Sequence, residues 1–162
     1  MHLTDLLTTD RVAIRSLEGP AAAGPADKAA AIASVAKLLA RGPAASVDAA
    51  ELERALLERE QLQSTGIGEG VAIPHGALAP LSQQVAALLI LPDGIDFDAI
   101  DGRKVSIIFA VVGPKRATGE HLKTLARVSR VLRHQSFRER LIAAPTPQAA
   151  FELIVAEEGD PR

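Results

Sequence analysis

Cysteine is absent from the chain, which excludes disulfide bridges and thiolate metal sites. Tryptophan and tyrosine are absent too, and four phenylalanines make up the whole aromatic content. Any core must therefore be aliphatic and rich in alanine. There is no excess of positive charge: the net charge is -2, which offers no basic footprint for nucleic acid. No apolar run is long enough to span a bilayer. The opening "MHLTDLLTTDRVAIRSLEG" lacks the charged-then-apolar pattern of a secretion signal. These absences point to a soluble, cytoplasmic protein without direct membrane insertion.

What is present suits one compact domain covering 1–162. The chain has 162 residues, of which 48% are hydrophobic, enough for a sizeable core. Leu3 to Leu7 can form a short helix, and "RVAIRSL" alternates as a strand does. "EGPAAAGPAD" reads as an extended loop over 18–27, marked by Gly/Pro pairs. "DKAAAIASVAKLLARG" is amphipathic, with Ile32, Val35, Leu38 and Leu39 on one face and Gly42 as a stop. Ser46 is placed to cap the next helix, whose apolar side carries Leu52, Leu56 and Leu57.

Further on, "VAI" is a short strand candidate, and "QVAALLIL" and "VSIIFAVV" are nearly continuous apolar runs. Such runs fit interior strands covered on both faces, with Asp101-Gly102 as a turn between them. "GEHLKTLARVSRVLRH" places Leu122, Leu125, Val128 and Leu132 at helical spacing. "SFRERLIAA" reads as a short helix capped by Ser136, and Thr146-Pro147 opens a last helix. Helices on both sides of a strand block predict an α/β fold: an α/β/α sandwich around a mixed, roughly five-stranded sheet.

Three features compete as sites. "TGIGEG" runs from helix to strand and lacks the Gly-Lys-Ser/Thr ending of a Walker loop, so it is a poor nucleotide loop. It can be a tight, φ-positive connection, or it can let bare backbone N–H groups approach an anion. "DGIDFDAIDG" gathers Asp93, Asp96, Asp98 and Asp101 without the glycine and glutamate positions of an EF-hand; it reads as a solvated acidic loop. Among the histidines, His2 is terminal and His134 sits at a helix end, where a cation suits the dipole. His121 lies near a helix start, where the dipole disfavours a cation and the ring is expected neutral. His75 stands between Pro74 and Gly76. Proline restricts its own φ and extends the preceding residue, while glycine opens the other flank, so the ring is aimed and approachable.

"STGIGEGVAIPHG" resembles the active-site signature of mannitol/fructose-type enzyme IIA domains of the phosphoenolpyruvate-dependent phosphotransferase system. "LEREQLQSTGIG", "FDAIDGRKVSIIFAVVGP" and "EHLKTLARVSRVL" resemble, in order, that family's Arg-Glu helix end, central strand pair and second active-site helix. The likeness runs from about 27 to 156 and leaves 1–26 variable. It implies that His75 is the phosphoacceptor, that Arg59 and His121 steady the phosphate, and that Thr65, Gly66 and Gly68 support it from the loop. It implies no metal and no cofactor, because the phosphate arrives activated on a donor histidine. The donor is expected to be an HPr-like phosphocarrier protein. The acceptor is an enzyme IIB domain in sugar transport, or a regulated target protein in the nitrogen-regulatory branch. "FDAIDG", on a chain with no fused IIB or carrier, resembles the regulatory branch more closely. A silent docking module is the third reading, and retention of Arg59 and His121 beside His75 argues against it.

Overall fold

The computed structural model describes residues 2–15, 27–41 and 47–159. Two short 3₁₀ turns lead into β1 (Val12–Ile14); then come α1 (Lys28–Leu39) and α2 (Ala49–Leu62). Three short strands follow, β2 (Gly66–Gly68), β3 (Val71–Ala72) and β4 (His75–Leu78). The long pair β5 (Val85–Ile95) and β6 (Val105–Pro114) precedes α3 (Thr118–Val131), α4 (Gln135–Ile142) and α5 (Pro147–Glu158). The sheet has six strands in the order β1-β5-β6-β3-β2, with β4 also on β6. It is mixed: β5 and β6 are antiparallel, while β1 on β5 and β3 and β4 on β6 are parallel.

The continuous apolar runs explain the central position of β5 and β6. Successive side chains on a strand point to opposite faces. Val85, Ala87, Leu89 and Leu91 join Ile108, Ala110 and Val112 against α1 and α2. Ala86, Leu88 and Ile90 join Ile107, Phe109 and Val111 against the helices that follow β6. Both faces are covered, so neither run needs to alternate with polar residues. No helix among the described residues is long and apolar enough to cross a membrane.

Several expectations needed correction. The sheet has six strands rather than about five, because β2 and β4 lack the apolar alternation that marks a strand in sequence. His75 opens β4, and β6 supplies its pairing partner. Leu122 is 61% exposed; the buried side of α3 is Thr124, Val128 and Val131. Helix α4 begins at Gln135 with His134 as its N-cap residue, so Ser136 is inside the helix and His134 stands at a start rather than an end. Asp48 caps α2 by accepting from the Glu51 N–H; Ser46, Gly42 and most of the 18–27 loop lie outside the described residues. The expected Thr146 cap of α5 does accept from Ala149 N–H, with Pro147 in the first turn.

The glycine loop is packed tightly against the β5–β6 connection. A Cβ on Gly66 would stand 2.9 Å from both Cα and Cβ of Ala99, and neither atom can retreat without moving backbone. Gly66→Ala is expected to cost about 1–3 kcal/mol, read as a lower urea midpoint at unchanged m-value. Gly119→Ala is the control: nothing lies within 4 Å of its Cβ position, so stability should hold or rise by about 0.5–1 kcal/mol. Equal midpoints for the two variants would refute the close packing.

Candidate active site

His75 is aimed by strand register. It pairs with Val111, and the Pro74 carbonyl accepts from the Val111 N–H at 3.0 Å. Paired residues share a face of the sheet. Val111 packs with the α3 side of the core, so the imidazole emerges on that side. Gly76 turns the other way, its Cβ position 3.8 Å from the Ala55 side chain of α2.

The ring orientation is set locally. Proline at 74 favours an extended Ile73, and the Ile73 carbonyl lies 2.7 Å from His75 Nδ1. A carbonyl only accepts, so Nδ1 carries the proton. Nε2 is then left with a lone pair. Burial pushes the His75 pKa below its ordinary value; the Ile73 carbonyl pulls it up, Arg59 pushes it down and Glu60 pulls it up. The net result is a neutral ring at neutral pH.

His121, in the first turns of α3, places its ring centroid 5.7 Å from that of His75, at an angle of 50°. It is half-buried. Its pKa is also lowered, first by burial and then by His75. The expected neutral ring follows, chiefly from desolvation.

Arg59 reaches the same region from the last turn of α2. Its Nη1 donates to the Gln63 carbonyl at 2.8 Å, where a cation suits both the open carbonyls and the helix dipole. Arg59, Ser64, Thr65, Ile73, His75 and Leu125 share the wall of a cavity of about 300 Å³. Its lip includes Ile67 and Ile100, exposed at 45% and 71%.

The glycine loop takes a different part from the one expected. Thr65 and Gly66 line the cavity, but their amides are already engaged. Thr65 N–H donates to the Glu60 carboxylate and Gly66 N–H to the Ser64 hydroxyl. Gly68 does not line the cavity; with φ +99° it packs against Asp101 at the β2–β3 hairpin. The acidic loop acts as capping: Asp101 accepts from the Glu69 and Arg103 amides, and Asp96 from that of Asp98.

The residue missed from sequence is Glu60. It is 8% exposed, accepts from the Thr65 amide and hydroxyl, and pairs with Lys28 at 2.7 Å. The signal was its spacing: Leu52, Leu56 and Glu60 continue one buried stripe at i, i+4 and i+8. Burial raises its pKa, but the bonds from Lys28 and Thr65 outweigh that and lower it overall. Lys28 also lies over the Phe97 ring, 5.2 Å from its centre.

Residues 23–157 match the family described as "Phosphoenolpyruvate-dependent sugar phosphotransferase system, EIIA 2". The chain belongs to this family. A nitrogen regulatory protein of Pseudomonas aeruginosa is 39% identical over 121 residues, covering 75% of this chain and 78% of that one. The fructose-specific EIIA component of Haloferax volcanii is 34% identical over 154 residues, covering 95% and 97%. The crystal structure of nitrogen regulatory protein IIA-Ntr from Neisseria meningitidis superposes with a TM-score of 0.81 at 30% identity, covering 94% and 98%. As a member of this family the chain is a phosphotransferase component.

The clamp on the loop of this EIIA domain is testable through its charge. The lowered Glu60 pKa means its stabilisation is present above the ordinary value of 4.5 and is lost as pH falls through the folded value. Glu60→Ala is expected to cost about 2 kcal/mol at pH 7, from the unpaired Thr65 amide and the lost ion pair. The gap to the unsubstituted protein should narrow below pH 4.5. Urea unfolding at both pH values measures it; a pH-independent gap would mean that packing, not charge, holds the loop.

Proposed function

We propose that the chain works as a single EIIA domain over 1–162. It takes a phosphoryl group on His75 Nε2 from an HPr-like phosphocarrier and acts through its phosphorylation state as a nitrogen-type regulatory phosphoprotein in the cytoplasm. The observation that carries the reading is the Ile73 carbonyl on His75 Nδ1, which leaves Nε2 as the nucleophile inside a cavity shared with Arg59.

The chemistry follows from that geometry. Nε2 attacks phosphorus as the P–N bond of the donor phosphohistidine breaks. The bonding pair returns to the donor ring, which takes up a proton. His75 Nδ1 keeps its own proton on the Ile73 carbonyl, so no base is needed. Phosphoryl transfer asks the protein mainly for positioning and for charge stabilisation on the equatorial oxygens. Arg59 offers a permanent cation with a planar fork. His121 adds a second cation once a phosphate on His75 favours its protonation. The exposed Ile67 and Ile100 at the cavity lip give a partner's active-site face an apolar seat.

The regulatory assignment is supported by the identities of 39% and 30% to nitrogen regulatory proteins. Sugar transport, with phosphate handed to an EIIB domain, is the second reading. It is favoured by the 34% identity to a fructose-specific EIIA component along 95% of the chain.

With phosphoenolpyruvate, enzyme I and a phosphocarrier, the protein should take up one acid-labile phosphate, and His75→Ala should abolish uptake while remaining folded. Labelling that persists in that variant would remove His75 from the role. Arg59→Lys should keep more transfer activity than Arg59→Ala, since lysine keeps the charge but loses the bidentate fork. Identical rates in both and in the unsubstituted protein would exclude Arg59. Because the His75 pKa is lowered, the uptake rate should stay level through neutral pH and fall only below about 6.5. A fall that begins above pH 7 would contradict a neutral, desolvated nucleophile.

A further inference from the structure

Two buried polar atoms beside the site have no hydrogen-bond partner among the described residues: His121 Nδ1 and Gln84 Oε1. Both border Gly113 of β6. A Cβ there would stand 3.0 Å from Gln84 Cγ and 3.6 Å from His121 Nδ1. Gln84 Cγ and His121 Nδ1 thus both lie beside the same point of β6. Gln84 is 7% exposed and sits immediately before β5, and its Oε1 is out of contact with bulk water.

The two atoms suit each other in only some states of the ring. Oε1 can only accept, and Nδ1 donates only when it carries a proton. Where the two atoms meet, a neutral ring protonated on Nε2 sets two lone pairs against each other. An imidazolium has an N–H on both nitrogens. Nδ1 is turned toward Gly113, which leaves Nε2 as the nitrogen for a group carried on His75.

We infer that Gln84 is a positioning residue for His121, its Oε1 accepting from the Nδ1–H of the imidazolium that forms when His75 carries phosphate. The second proton comes from solvent, and Nε2–H then points to the phosphoryl oxygens. This rests on the phosphotransfer reading. The charged groups packed around the pair are of both signs: His75 on β4, Glu120, Lys123 and Arg127 on α3, and Arg116 before it. Gln84 is the neutral acceptor among them, and it selects the ring state without adding charge to the site.

Histidine ¹⁵N-correlated NMR on the unsubstituted protein, Gln84→Leu and Gln84→Glu tests this, with and without phosphate. In unphosphorylated protein, Gln84→Leu should lower the His121 pKa by about one unit, tenfold in the protonation equilibrium. Gln84→Glu, which keeps the acceptor and adds charge, should raise it. After phosphorylation, Gln84→Leu should shorten the phosphohistidine lifetime several-fold, and Gln84→Glu should not. The loss in Gln84→Leu with His121→Ala should equal that of His121→Ala alone, because Gln84 acts through the ring. An unchanged or raised His121 pKa in Gln84→Leu overturns the inference, as do losses that multiply in the double variant. Failure of the unsubstituted protein to take up phosphate would sink the phosphotransfer reading instead, and the unphosphorylated titration would still decide the pairing.

Discussion

The parallel pairing of β4 on β6 is the constraint on which the site depends. It joins His75 to Val111, and a shift of one residue would send every side chain of β4 to the opposite face. His75 would then point at α2, on the side where the Cβ position of residue 76 lies 3.8 Å from Ala55, and away from His121. The apolar run of β6 holds the register, because Ile107, Phe109 and Val111 are committed to one core and Ile108, Ala110 and Val112 to the other. A four-residue edge strand thus inherits its orientation from the most buried strand of the molecule.

Around that register the protein separates two electrostatic tasks. The His75 and His121 imidazoles are partly withdrawn from water and held neutral. The permanent charges are kept where they have partners. Arg59 lies on its own helix end, and Glu60, one residue later and on the buried side, answers Lys28 and the Thr65 amide. One turn of helix therefore sends a cation to the cavity and an anion to the loop beneath it. The two neighbours need opposite surroundings, and the periodicity of the helix provides them.

The loop between α2 and β3 shows why residue type alone misleads. Its glycines suggest amide groups free for an anion, but the amides at 65 and 66 are already bonded to Glu60 and Ser64. Gly66 is small because Ala99 lies against it. The loop supports the site as a braced wall, joined to the strand beside His75 by the Ile73 amide on the Thr65 carbonyl.

The sequence alone determined the α/β class, the two central strands, five helices and the residues to examine first. Those features rest on local signals: continuous apolar runs, helical spacing, a Thr146 cap, and a histidine between proline and glycine. It did not yield β2 or β4, the exposure of Leu122, the clamp of Glu60 or the unpaired atoms of Gln84 and His121. Each of these depends on partners distant in the chain. β4 is a strand only because β6 offers hydrogen bonds, and Leu122 is exposed because the sheet meets α3 along Thr124 and Val128. Arg59 shares a cavity wall with His75 and His121 sets its ring beside that of His75 because tertiary packing closes three separate elements on each other, and no local periodicity encodes that meeting.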